Sequence, residues 1–117
     1  MFKFENLLVW QKSIELSTVI HKTIKNFPNE EKYVLSSQLQ RASDSISLNI
    51  AEGSTGQSKG EYRRFLGYAL RSAIEVVSCL HLAKNRNLIS NTEFDENYLK
   101  TEEIIKMIFG LRNSLKD

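Results

Sequence analysis

Apolar residues recur along this chain at steps of three and four, the spacing of one face of an α-helix. Val9, Leu16, Ile20 and Phe27 make a first stripe, with Ser13 and Thr23 in line. Leu35, Leu39, Ala42, Ile46 and Gly53 make a second. Tyr62, Phe65, Leu66, Ala69, Ala73, Val76, Leu80 and Ala83 make a third, and Phe94, Tyr98, Ile105, Ile108 and Leu115 a fourth. The gaps between stripes carry boundary signals. The first helix is expected from about Asn6 to Asn26 and ends at Phe27-Pro28, because the residue before proline disfavours α geometry. Asn29 is placed to cap the second helix, with Glu30 and Glu31 in its first turn, where the helix dipole favours acids. Gly53 is expected to end that helix as a left-handed cap. Ser58 with Glu61 reads as a capping box opening the third helix. A polar break from Asn85 to Asn91 follows, and Ser90 with Glu93 gives a second box, while Arg112 and Lys116 suit the C-terminal dipole of the fourth helix. The pattern predicts an all-α fold, one domain over residues 1–117: an up-down-up-down antiparallel four-helix bundle.

The segment from Ser37 to Leu66, SQLQRASDSISLNIAEGSTGQSKGEYRRFL, joins two of these helices and also carries a family signature. With Val9-Trp10-Gln11 and Phe27-Pro28 upstream, it contributes Ser37-Gln38, Arg41-Ala42, Ser45-Ile46 and Asn49-Ile50-Ala51-Glu52-Gly53. Glu61, Arg64-Phe65-Leu66, Ala69, Ser72 and Glu75 complete it. In order and spacing over most of its length the chain resembles the 23S rRNA intervening-sequence proteins. It departs from their pattern at Gln40-Arg41, where two arginines are usual, at Ser47 in place of a proline, and at Arg71 in place of a glycine. The resemblance implies a bundle assembled into a ring of five copies, encoded within insertions in large-subunit rRNA genes, with no enzymatic activity. It further implies kinship with accessory proteins of diversity-generating retroelements, in which a basic ring holds nucleic acid and a reverse transcriptase.

Composition fits one small helical domain of 117 residues, 41% apolar, with one proline and five glycines. A single cysteine excludes an internal disulfide. Lys3, Glu5 and Lys12 interrupt any apolar leader, and no uncharged run exceeds about eight residues against the roughly twenty that span a bilayer. A cytoplasmic protein without a membrane partner is expected.

Apolar residues also lie off the four stripes: Leu7 and Trp10 on the first helix, Leu70 and Val77 on the third, Ile104 and Phe109 on the fourth. They read either as a wide core face or as contacts between copies in a cyclic homo-oligomer. Charge is uneven as well. From Ser58 to Ser90 there are six basic residues and two acidic ones, a net of +4 against +2 for the whole chain. Lys59, Arg63, Arg64, Tyr68 and Arg71 therefore form a candidate nucleic-acid surface, in which guanidinium groups pair with phosphate and the tyrosine ring stacks on a base. The competing reading is a solvated face, with Arg64 paired to Glu61 and Arg71 to Glu75 within the helix. Gln38, Arg41, Asn49, Glu52, Ser72 and Glu75 could form an interhelical polar network, either fixing helix register or binding a partner.

Catalytic chemistry finds little support. Neither histidine, His21 or His81, follows a glutamate at the spacing of di-iron bundles, no His/Cys set has zinc spacing, and the Gly53–Gly56 loop lacks the lysine of a phosphate loop. Cys79 reads as a small core residue. The expected function is that of a non-enzymatic, cofactor-free scaffold that binds itself and RNA or DNA. The alternative is a module that binds a protein partner and no nucleic acid.

Overall fold

The computed structural model describes residues 1–56 and 58–116. A short 3-10 turn, Lys3–Asn6, precedes α1 (Leu8–Ile24); a second, Asn29–Glu31, precedes α2 (Leu35–Ser54); α3 (Lys59–Asn85) and α4 (Asn91–Ser114) follow, and the described residues contain no strand. The four helices form a bundle of 46 × 22 × 21 Å, in which α3, about 40 Å long at 1.5 Å per residue, runs nearly the full length. α2 and α3 share the most extensive contact, and α4 closes against α1.

The seam of α1 is the one its pattern predicts: Val9, Ser13, Leu16, Ile20 and Thr23 are buried. Its two polar members are paired, Ser13 Oγ donating to Val9 O at 2.7 Å and Thr23 Oγ1 to Val19 O at 2.9 Å, which removes most of the cost of burying a hydroxyl. Leu66, Ala69, Leu70, Ala73, Val76, Cys79, Leu80 and Ala83 form the buried face of α3. α3 is also the one described helix long and apolar enough to cross a membrane by length and composition, and 33% of that apolar window is buried in the bundle.

Several expectations are corrected. Asn29 does not begin α2: Asn29–Glu31 form their own turn, and α2 starts at Leu35 behind Val34, which offers no side-chain cap. Gly53 lies inside α2, and no described glycine has positive φ. Glycine is needed there because α3 crosses so closely that a Cβ would sit 2.8 Å from Phe65 Cβ and 3.3 Å from Tyr62 O. The box at α3 is half formed: Ser58 Oγ accepts from Glu61 N, but the Glu61 carboxylate lies over Gly56. At α4 both halves are present, Glu93 N to Ser90 Oγ and Ser90 N to Glu93 Oε1, each at 3.0 Å, a cap that contributes about 1 kcal/mol. The buried seam of α4 runs through Phe94, Asn97, Thr101, Ile104 and Ile108, one position away from the Tyr98–Ile105 line that the spacing suggested.

α2 is unusual in composition. Ser43, Ser45, Ser47, Asn49 and Ser54 each turn a side-chain donor back onto a carbonyl three or four residues earlier, at 2.8 to 3.2 Å. Such bonds compete with the helical ladder and weaken a helix slightly.

A candidate nucleic-acid interface on the third helix

Arg64, Tyr68 and Arg71 lie on the outer face of α3 and are exposed. With Gly67, Leu70 and Ile74 they line a shallow concavity of about 250 Å³, to which α4 adds Arg112. The Arg112 guanidinium spreads over Gly67, within 3.7 Å of where a Cβ would lie. The Arg64 guanidinium carbon stands 5.3 Å from the Phe65 ring centroid, and Phe65 meets Tyr68 edge to face at 5.5 Å. Phe65 thus contacts a cation and the exposed Tyr68 ring at once.

Neither Arg64 nor Arg71 has a carboxylate within 4 Å among the described residues, where ion pairs join Lys12–Glu103, Arg86–Glu31 and Lys106–Glu102. The expected partners are engaged elsewhere. Glu61 packs on Gly56, and Glu75 Oε2 accepts from Gln38 Nε2 at 3.2 Å. Two guanidinium groups therefore remain available for phosphate.

The other sequence candidates divide. Lys59 is exposed in the first turn of α3. Arg63 turns away from the concavity: its Nη1 donates to Leu115 O at 2.7 Å, satisfying a carbonyl past the end of α4. It lines a second hollow with Phe109, Arg112, Asn113 and Lys116. Arg112 and Lys116 had only a dipole role in the sequence, and the packing of α4 on α3 is what brings them to this surface. The polar network reduces to the single α2–α3 bridge between Gln38 and Glu75. Asn49 bonds its own helix through Ser45 O, and the remaining members, Arg41, Glu52 and Ser72, make no side-chain bond among the described residues.

The off-stripe apolar residues also divide. Ile104 is 1% exposed and Leu70 is buried apart from the edge it shows to the concavity, so both belong to the core of a single copy. Leu7 and Trp10 are half-buried against that core, and Phe4 covers Trp10 edge to face at 5.1 Å. Val77 is intermediate and Phe109 is exposed. Sequence reasoning missed several exposed apolar side chains on the helices, among them Leu48 at 66% and Ile74 at 54%. Each is a single apolar residue on a mixed face, a position that periodicity leaves unassigned.

Cys79 is buried, and its thiol is pushed up first by that burial and then by Glu75, against a smaller opposing effect of Arg41, so the nucleophilic thiolate is disfavoured. His81 packs on Phe94 at 4.9 Å and Tyr98 at 6.2 Å. Among the described residues no three His, Cys, Asp or Glu side chains converge as metal ligands do.

Fold and surface together define a four-helix-bundle protein whose most distinctive patch is an unpaired arginine–aromatic face. The chain belongs to the 23S rRNA-intervening sequence protein family, whose model matches residues 5–110. It is similar in structure to a protein of unknown function of the S23 ribosomal protein family from Bacteroides thetaiotaomicron. That likeness has 27% sequence identity and a TM-score of 0.82, and covers 90% of this chain and 98% of the other. No curated protein matches the chain.

Proposed function

We propose that this chain is a non-enzymatic, nucleic-acid-associated scaffold, an up-down-up-down antiparallel bundle that assembles into a cyclic homo-oligomer and meets RNA or DNA through the basic face of α3. The observation that carries this reading is the pair Arg64 and Arg71 flanking Tyr68, exposed and without carboxylate partners among the described residues, with Arg112 beside them. Guanidinium groups suit phosphate oxygens, and an aromatic ring between them suits a base. Self-assembly is supported by Ile74, Leu48 and Phe109, large apolar side chains that a single copy leaves exposed. A ring repeats the patch once per copy, so weak phosphate contacts act together.

Fluorescence anisotropy with structured RNA and duplex DNA over a salt series tests the reading. The expected result is steeply salt-dependent binding. Arg64→Glu with Arg71→Glu should weaken it at least about tenfold and flatten the salt slope. Absence of binding at low salt, or binding indifferent to both substitutions, overturns it in favour of a protein-interaction module. Light scattering tests assembly separately, and a monomer at micromolar concentration removes the ring.

A further inference from the structure

Another basic hollow lies between the end of α1 and the start of α2, about 24 Å along α2 from Gly53, where α3's N-terminal half crosses. It encloses about 430 Å³ and is walled by His21, Lys25, Lys32, Ser36 and Ser37 over a floor that includes Phe27; no carboxylate lines it. In a chain with 16 lysines and arginines against 14 acids, Lys25 and Lys32 facing no acid are a local charge excess. The nearby acid Glu31 is drawn off by Arg86, at 3.2 Å.

The backbone adds donors to the same place. α2 is 20 residues long, and its cap residue Val34 supplies no side-chain acceptor. The first bond back to the cap is Gln38 N to Val34 O, so the amides of Leu35, Ser36 and Ser37 precede it as the orphan donors of the first turn. An independent sign comes from Ser36. It is 7% exposed, and its Oγ has no hydrogen-bond partner among the described residues. A buried hydroxyl without a partner is destabilising, and a ligand oxygen at this wall would satisfy it. His21 is held in place. Gln40 Nε2 donates to Asp44 Oδ1 at 2.8 Å, which turns Gln40 Oε1 toward His21 to accept from Nδ1 at 3.0 Å. The other ring nitrogen, Nε2, is left free of that chain.

We propose that this hollow binds a phosphate group, seated on the first-turn amides and the Ser36 hydroxyl of α2 and neutralised by Lys25 and Lys32. The site does not rest on the α3 reading, and either can fail alone. The phosphate is carried by a free phosphorylated small molecule or by a nucleic-acid backbone, and both present the same oxygens.

Two-dimensional 1H–15N NMR of the full chain tests the proposal, with inorganic phosphate as the first probe and sodium chloride at matched ionic strength as control. Saturable shifts of the Ser36 and Ser37 amides with phosphate, absent with chloride, are expected. Lys25→Gln with Lys32→Gln, both at exposed positions, should keep a dispersed spectrum and weaken binding at least about fivefold. Ser36→Ala should weaken it too, and Arg64→Glu with Arg71→Glu should leave it unchanged. Tighter saturation by adenosine monophosphate assigns the site to free phosphorylated molecules, and tighter saturation by a short RNA assigns it to a backbone phosphate. Linear shifts without saturation, equal shifts with chloride, or an affinity indifferent to loss of both lysines overturns the proposal.

Discussion

Valine at position 53 is expected to destabilise the protein by about 3 kcal/mol, with a fall in Tm of roughly 10 °C, as read by calorimetry or thermal circular dichroism. Two effects oppose each other. Any side chain at a helical glycine recovers part of the roughly 1 kcal/mol that glycine costs a helix. Against that stands the crossing of α2 and α3, where a Cβ at residue 53 would lie 2.8 Å from Phe65 Cβ and 3.3 Å from the Tyr62 carbonyl. Neither atom is the free end of a flexible chain, so the helices themselves must part. They form the largest contact in the bundle, so overpacking there outweighs the propensity gain. Gly53→Ala should move in the same direction by less. A valine variant as stable as the parent would show that the two helices do not approach this closely.

The second large effect concerns the seam of α4. Ile104→Ala should cost about 3–4 kcal/mol in urea unfolding, and Ile105→Ala about 1 kcal/mol, because Ile104 is 1% exposed while its neighbour is only partly covered. Equal losses would place the helix in the other register. The comparison also bears on assembly, since Ile104 in the core of one copy cannot serve as a contact between copies.

This pair of isoleucines shows where the sequence was readable and where it was not. The seam of α1 was legible because Val9, Ser13, Leu16, Ile20 and Thr23 keep one unbroken spacing of three and four along the whole helix. α4 carries Ile104-Ile105 and Met107-Ile108-Phe109 in runs, so two adjacent lines fit the period equally well. The line that is buried includes Asn97 and Thr101, which a hydrophobic pattern rejects; Thr101 is tolerated because its hydroxyl donates to Asn97 O at 2.7 Å. Gly53 was misread for a related reason. The letter is the same whether glycine ends a helix or lets another helix pass, and only the neighbour distinguishes the two. At the basic face, the spacing of Arg64, Tyr68 and Arg71 was visible in the sequence, whereas the arrival of Arg112 depends on how α4 lies against α3.

The serine-rich make-up of α2 has a bearing on how the chain assembles. A segment whose hydroxyls and amide solicit its own carbonyls has little reason to coil by itself, and a free peptide of residues 35–54 should give a largely unstructured circular dichroism signal. Its helicity is then borrowed from α3, whose small side chains Ala69, Ala73 and Ala83 leave room for a close partner. In time rather than in space, α2 is then expected to be the late arrival, wrapping onto α3 once that surface exists, and φ-values near zero along α2 with higher ones in α3 would show it.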